Sequence, residues 1–476
     1  MKLPACALTA FCLVVPSASS ADTAPGSDPV ERIIEAGLRS DGAYRKLAWL
    51  SDRIGPRLSG SENLEKAVRW CKEEMSRDGL DDVHTEKVMV PHWVRGEASG
   101  KILTPAAHPM ALLALGMSDG TPPQGITAEV VEVASLEEAK ALGAKAKGKI
   151  VLYNKRIYAN GGEGRGYGSA VDLRYKGAVE AAKVGAVGML IRSLATADFR
   201  LPHTGGMAYE DGVPRIPAAA ISPEDAELIH RFLVAGETVK VTYTMSCKNL
   251  PDAESANVLG DVRGSGAPDE VVVIGGHLDS WDVGTGAQDD GAGIAICMEA
   301  LRLIRSLGLK PKRTIRAVLF TNEENGLRGG KAYAESHKGE LAKHVAAIES
   351  DSGAARPLGF GVSAGAGSAA IVRRLAAPLA AFAAEDVREG GGGADISPMG
   401  DNAGVPQLGL RQDGTHYFDI HHTMADTLDK VDPHDLAMNA TAMAVMAWQL
   451  ANLDPPLERY VPTKPENTAK PPGIRR

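Results

Sequence analysis

The sequence predicts an α/β fold: a mainly parallel mixed sheet between helices, with a smaller α/β unit inserted into it. Three observations carry this. From about residue 255 onward, strand, loop and helix patterns alternate. The strands there are unbroken apolar runs, as in Val271–Ile274, which suits a parallel sheet covered on both faces. Between about 85 and 246 the texture changes to short β-like runs around an Ala-rich helical segment. A chain of 476 residues also exceeds what one hydrophobic core usually supports.

Taken in order, residues 1–21 have the layout of a signal peptide. Lys2 supplies the positive end, an apolar stretch runs from Leu3 to Val15, and small residues follow to Ala21. The apolar run is shorter than the roughly 20 residues that span a bilayer. Export is therefore expected, to the periplasm or outside the cell, with no membrane span. Residues 29–80 carry helical spacing in Val30, Ile33, Ile34 and Leu38, and again in Leu64, Ala67, Val68, Cys71 and Met75. Ser61 is placed to cap the second of these helices and Gly79 to end it. Ile54–Ser61 reads as a turn-rich connector.

In the middle stretch, 129–133, 149–153, 187–191 and 216–221 read as strands, 176–184 as a helix and 161–168 as a Gly-rich loop. Later come strands at 270–274, 314–320 and 345–348, a helix at 291–307 and a last helix at 435–453. The Pro- and Lys-rich tail, 456–476, is expected to be poorly ordered.

Composition narrows the function classes. The formal net charge is −8 and no Lys/Arg block forms a nucleic-acid patch. Cys71, Cys247 and Cys297 remain after the signal segment, too few for a disulfide scaffold. Cys297 sits in an apolar helical pattern and reads as a small core residue. Gly365–Ala370 imitates a dinucleotide-binding turn, but in a Gly/Ala-rich chain with no other nucleotide signal it carries no cofactor assignment.

Five potential metal-ligand positions lie in or beside loops that follow these strands. His277 is in GGHLDS, Asp289 in GAQDDGAG, Glu323 and Glu324 follow Phe320-Thr-Asn, Asp351 follows Ile348-Glu-Ser, and His422 lies in IHHTMADT. In open parallel sheets, ligands bind outside the carboxyl ends of the strands. Two histidines and three carboxylates suit zinc. Two metals about 3.5–4 Å apart share a carboxylate and a water, and each then needs its own histidine and acid. The adjacent pair Glu323-Glu324 offers one ligand and one free base for that water. Against this stand plainer readings: the pair as charges favouring a helix N-terminus, and Asp279 as a turn cap.

The order GGHLDS, GAQDDGAG, TNEENGLRGG, ESDSG and HHTMADT resembles the co-catalytic zinc aminopeptidase and carboxypeptidase family. The similarity extends to GPRLSGSENLEKAVRW and covers nearly all of the chain after the signal segment. The resemblance implies two Zn2+ per subunit. His277 and Asp351 would bind the first, Glu324 and His422 the second, and Asp289 would bridge both. Glu323 would be the general acid/base, acting on a metal-bridging water, and Asp279 would orient the His277 ring through its carboxylate. The Asp289–Asp290 peptide would be cis. His421 would steady the oxyanion or be the ligand itself; the family's spacing of His four residues before Asp426 favours His422. The implied domains are 22–95 and 247–455 as the catalytic part and 96–246 as a protease-associated insert. The implied activity is hydrolysis of short peptides or dipeptides with free termini, with a possible homodimer. The alternatives are a one-zinc acyltransferase of the glutaminyl-cyclase type, and a binding relative that has lost the ligand set.

Overall fold

A computed structural model describes residues 28–159 and 166–461. The signal-segment reading, most of the Gly-rich loop and residues 462–476 lie outside the described residues.

The chain opens with helices α1 (Pro29–Leu38), α2 (Gly42–Trp49) and α3 (Glu62–Arg77). Ser61 caps α3 as expected, its Oγ accepting the Leu64 N–H at 3.2 Å. Strand β1 (Asp81–Val94) then leads into a second sheet. That sheet contains β2 (Ala98–Thr104), β3 (His108–Met110), β4 (Leu112–Ala114), β5 (Ile126–Val133), β6 (Ile150–Tyr153), β7 (Gly188–Arg192), β8 (Ala218–Ile221) and β9 (Lys240–Met245). Helices α4 (Leu136–Leu142), α5 (Val171–Lys183) and α6 (Pro223–Val234) accompany it. Its order is β3-β2-β9-β5-β6-β7-β8-β4, with β5 to β8 parallel. The chain returns through β10 (Lys248–Val262), which pairs antiparallel with β1, Val94 opposite Lys248. Exit and re-entry are thus adjacent, the geometry of an inserted segment.

The main sheet continues with β11 (Ala267–His277), α7 (Ala292–Ser306), β12 (Arg313–Phe320), α8 (Arg328–Ser336) and β13 (His344–Glu349). It ends with β14 (Pro357–Ser363), α9 (Ser368–Ala376), β15 (Asp386–Glu389), α10 (Ser397–Ala403), β16 (Gln407–Gln412), the short α11 (Tyr417–Ile420) and α12 (Pro433–Asn452). The order is β1-β10-β12-β11-β13-β16-β14-β15. The central run β12-β11-β13-β16 is parallel and antiparallel pairs flank it.

The apolar runs read in the sequence are buried on both faces. In β11, Val272 and Ile274 face the core under α7 and α12, while Val271 and Val273 face the one under α8 and α10. Cys297 lies in the first of these cores, and the three cysteines are buried and unbridged. The tail is tied down further than expected. Arg459 donates to the carbonyls of Leu341, Ala342, His344 and Ala403, which anchors the chain around residue 459.

Candidate metal centre

Register brings the chemistry together. Within the parallel run His277 lies beside Phe320 and Gly275 beside Glu349. The segments after β11, β12 and β13 therefore leave the same edge of the sheet. They carry Asp289, Glu323 and Glu324, and Asp351; the segment after β16 adds His421 and His422. Glu323 and Glu324 occupy a turn before α8 begins at Arg328, so they are not a helix-terminal charge pair.

All five expected donors meet. Asp289 sets Oδ1 3.1 Å from His277 Nε2 and Oδ2 3.2 Å from His422 Nε2. Asp351 Oδ1 lies 3.5 Å from His277 Nε2, and Glu324 Oε2 lies 3.1 Å from His422 Nε2. Each histidine thus has one carboxylate of its own and shares Asp289. The Asp289–Asp290 peptide is cis.

The far side of each ring fixes its tautomer. His277 Nδ1 is 3.0 Å from the Asp279 carbonyl, and His422 Nδ1 is 3.3 Å from the Thr204 carbonyl. A carbonyl only accepts, so Nδ1 carries a proton, and each Nε2 faces carboxylate oxygens that outweigh burial and hold both rings well above their ordinary value. A second proton on each Nε2 or a metal cation held between nitrogen and oxygens satisfies this arrangement. Glu324 Oε1 is buried without a hydrogen bond among the described residues. Burial pushes the Glu324 carboxyl up to about 7, with Asp289 adding to it. Burial also pushes Glu323 well above its ordinary value; His277 opposes this, while Asp351 and Glu324 reinforce it. Imidazole nitrogens and carboxylate oxygens crowded in this way fit zinc.

Asp279 departs from expectation in the atom it uses. Its carboxylate Oδ1 is 3.8 Å from His277 Nδ1, and the close contact is its backbone carbonyl. The carboxylate instead accepts the Glu323 N–H at 3.0 Å and the Ser59 hydroxyl at 3.3 Å. A backbone N–H and a hydroxyl are stronger claimants here than a ring already satisfied by a carbonyl.

His421 stacks on His422 with ring centroids 3.5 Å apart and sets Nε2 3.3 Å from Asp289 Oδ2. Of the two, only His422 also meets Glu324. Burial, then His422, holds the His421 ring well below its ordinary value, so it is neutral. His416 is exposed and turns to Asp419. Asp395 is fully buried.

The roles of three other residues emerge only from the structure. Asp426 accepts the N–H groups of Ala287, Gln288 and Asp289. Asp290 accepts those of His277 and Gly293. Arg57, fully buried, donates to the carbonyls of Gly55, Leu278, Thr285 and Gly286. The GPRLSGS connector thereby clamps both loops that carry His277 and Asp289. No separate sequence signal marked Arg57 beyond its place in that stretch.

A parallel sheet that gathers this donor set at its carboxyl ends has the arrangement of a metallohydrolase. Comparison with known proteins makes the class specific. The model of peptidase family M28 matches residues 257–447. Carboxypeptidase Q of Mus musculus is 44% identical over 423 residues, 89% of this chain and 88% of that protein. The crystal structure of a peptidase M28 precursor from Shewanella amazonensis SB2B is 41% identical, with a TM-score of 0.86 over 91% of this chain and 98% of that one. A zinc aminopeptidase from Bacillus subtilis shares the fold at 21% identity, with a TM-score of 0.63 over 88% of this chain and 95% of that one. The chain belongs to peptidase family M28 and is a zinc metallopeptidase acting on peptides. No helix among the described residues is long and apolar enough to cross a membrane.

Proposed function

We propose that the protein is an exported di-zinc exopeptidase that hydrolyses short peptides or dipeptides with free termini. One observation carries this reading: the two oxygens of Asp289 face different histidines, 3.1 and 3.2 Å away. In this reading His277 and Asp351 would hold one zinc and His422 and Glu324 the other, with Asp289 available to both. Bound zinc supplies Lewis-acid polarisation of the scissile carbonyl and acidifies a water.

The chain's own groups do the rest. Glu323 forms no hydrogen bond or ion pair with His277 or His422 among the described residues, so its carboxylate is left to take a proton from the attacking water and return it to the leaving amine. Its backbone is fixed by Asp279. His421, neutral and beside Asp289, is placed to donate to the developing oxyanion.

Residues 96–246 form a protease-associated insert in this reading, and 22–95 with 247–455 the catalytic domain; the adjacency of β1 and β10 supports it. Export rests on the layout of residues 1–21. A homodimer follows from the resemblance.

The test is hydrolysis of a dipeptide panel by zinc-loaded protein, beside Glu323→Gln. Loss of the base should cost about 10²–10⁴-fold in kcat with zinc still bound. A wild type that binds two zincs and hydrolyses none of the panel overturns the hydrolase reading. One zinc with cyclising activity would favour the acyltransferase alternative.

A further inference from the structure

We propose that the segment carrying the second sheet completes the metal centre. Thr204, held in place by Arg95 and Arg174, is the positioning residue for His422. This rests on the two-zinc reading above.

Thr204 grips His422 from two directions. Its carbonyl receives the ring Nδ1–H at 3.3 Å, and its N–H donates to the His422 carbonyl at 3.0 Å. The first contact directs Nε2 toward Asp289 and Glu324. The second holds a backbone that needs holding, because His422 sits at φ 59°, a left-handed conformation that non-glycine residues adopt at a cost.

Thr204 is itself fixed. It is fully buried, its hydroxyl donates to the Ala114 carbonyl at 3.0 Å, and the same oxygen accepts Arg95 at 3.1 Å. Arg95 also chelates Asp282, five residues beyond His277, and lies over the Trp93 and Trp281 rings. Trp281 meets the His422 ring edge-on at 5.7 Å. On the other side, Arg174 donates to the carbonyls of Gly206 at 3.3 Å and Thr204 at 3.5 Å. Gly205 has φ +138°, and a Cβ there would fall 2.2 Å from the Arg174 guanidinium. The 204–206 turn is thus pressed between Arg174 and a histidine of the centre, with no room for a side chain at Gly205.

The alternative is that these contacts merely pack two sheets together. Electrostatics separates the two, because Arg174 is a cation near a cation site. Removing its charge alone would tighten zinc binding. Removing its grip on the turn would weaken it, at one site only.

The experiment is equilibrium dialysis of the full chain against graded free zinc, with bound zinc measured by mass spectrometry. Wild type, Arg174→Met, Arg174→Lys and Thr204→Val are compared, with His422→Ala marking loss of the second site. The expected result is two zincs in wild type and, in Arg174→Met, one affinity lowered about 10–100-fold with the other unchanged. Arg174→Lys should recover part of that loss. If Arg174→Met does not fold, Thr204→Val carries the test, with a smaller loss at the same site. Unchanged or tightened binding in a wild type of two zincs overturns the inference, as does an equal fall at both sites. A single zinc in wild type overturns the two-zinc reading and the inference with it.

Discussion

Asp279 accepts the backbone N–H of Glu323 at 3.0 Å through Oδ1, while its own carbonyl, 3.0 Å from His277 Nδ1, orients the ring. One residue thereby serves the proposed base with its side chain and a proposed ligand with its backbone. The division has a consequence. Asp279→Ala removes the carboxylate and leaves the carbonyl. Zinc content should hold, while kcat at saturating zinc falls roughly 10–100-fold as the Glu323 turn loosens. Asp279→Asn keeps an acceptor for the N–H and should lose less. Parallel zinc analysis and steady-state kinetics check this. A loss of zinc affinity with normal kcat would mean that the carboxylate acts on His277 instead.

Asp426 should be less forgiving of the isosteric change. Its Oδ1 accepts the N–H groups of Ala287 and Gln288 at 3.1 and 2.7 Å, and its Oδ2 that of Asp289 at 3.2 Å. In Asp426→Asn an amide NH2 must face a backbone N–H whichever way it is turned. The expected cost is about 1.5–3 kcal/mol, the worth of a hydrogen bond to a charged group. Because the loop carries Asp289, zinc affinity should fall as well. Urea unfolding with and without zinc measures both effects.

The proposed donors His277, Glu324 and Asp351 were legible in the sequence because each lies within a few residues of a strand end, whereas Asp289 and His422 lie deeper in their loops and were marked by their motifs. An apolar run followed by His277, or by Asn322-Glu323-Glu324, predicts both the strand and the side of the sheet where the side chain emerges. What was not legible is non-local or concerns which atom is used. Thr204 and His422 are 218 residues apart, and nothing in either stretch announces their pairing. Asp279 was expected at its position, but only geometry shows its carbonyl, not its carboxylate, on the ring. The β1–β10 pairing that frames the inserted segment was likewise hidden, since a polar edge pair lacks the apolar pattern that marks the central strands.

Chelation should lower stability as well as activity. A ligand at a thousandfold excess over its dissociation constant stabilises the folded state by about 4 kcal/mol per site. For domains of this size a kcal/mol moves the melting temperature by about 2–4 °C. Treatment with a strong chelator should therefore lower the melting temperature by on the order of 10 °C. Calorimetry with zinc added back checks it. An unchanged transition would argue against any metal at the His277–Asp289–His422 centre.

Away from the centre, His337 and Glu86 predict a separate pH dependence of stability. His337 Nε2 lies 2.7 Å from Glu86 Oε1, both side chains largely buried. Glu340 and His84 lie 3.5 and 3.8 Å from the pair, and Arg316 is a neighbouring cation. Burial lowers the His337 value, but the Glu86 hydrogen bond and charge outweigh it and hold it above 6.5. Burial raises Glu86, but His337 outweighs it and holds that carboxyl below 4.5. A raised histidine stabilises fully below its unfolded value, and that stability fades as pH rises through the folded one. A lowered carboxylate stabilises above its unfolded value, and that stability fades as pH falls through the folded one. The pair therefore contributes most between 4.5 and 6.5. Against His337→Gln, the wild type should be more stable by about 1 kcal/mol in that window, with the difference shrinking toward pH 8. Thermal unfolding of both proteins across this range measures it, and a difference that grows toward pH 8 would contradict the assignment.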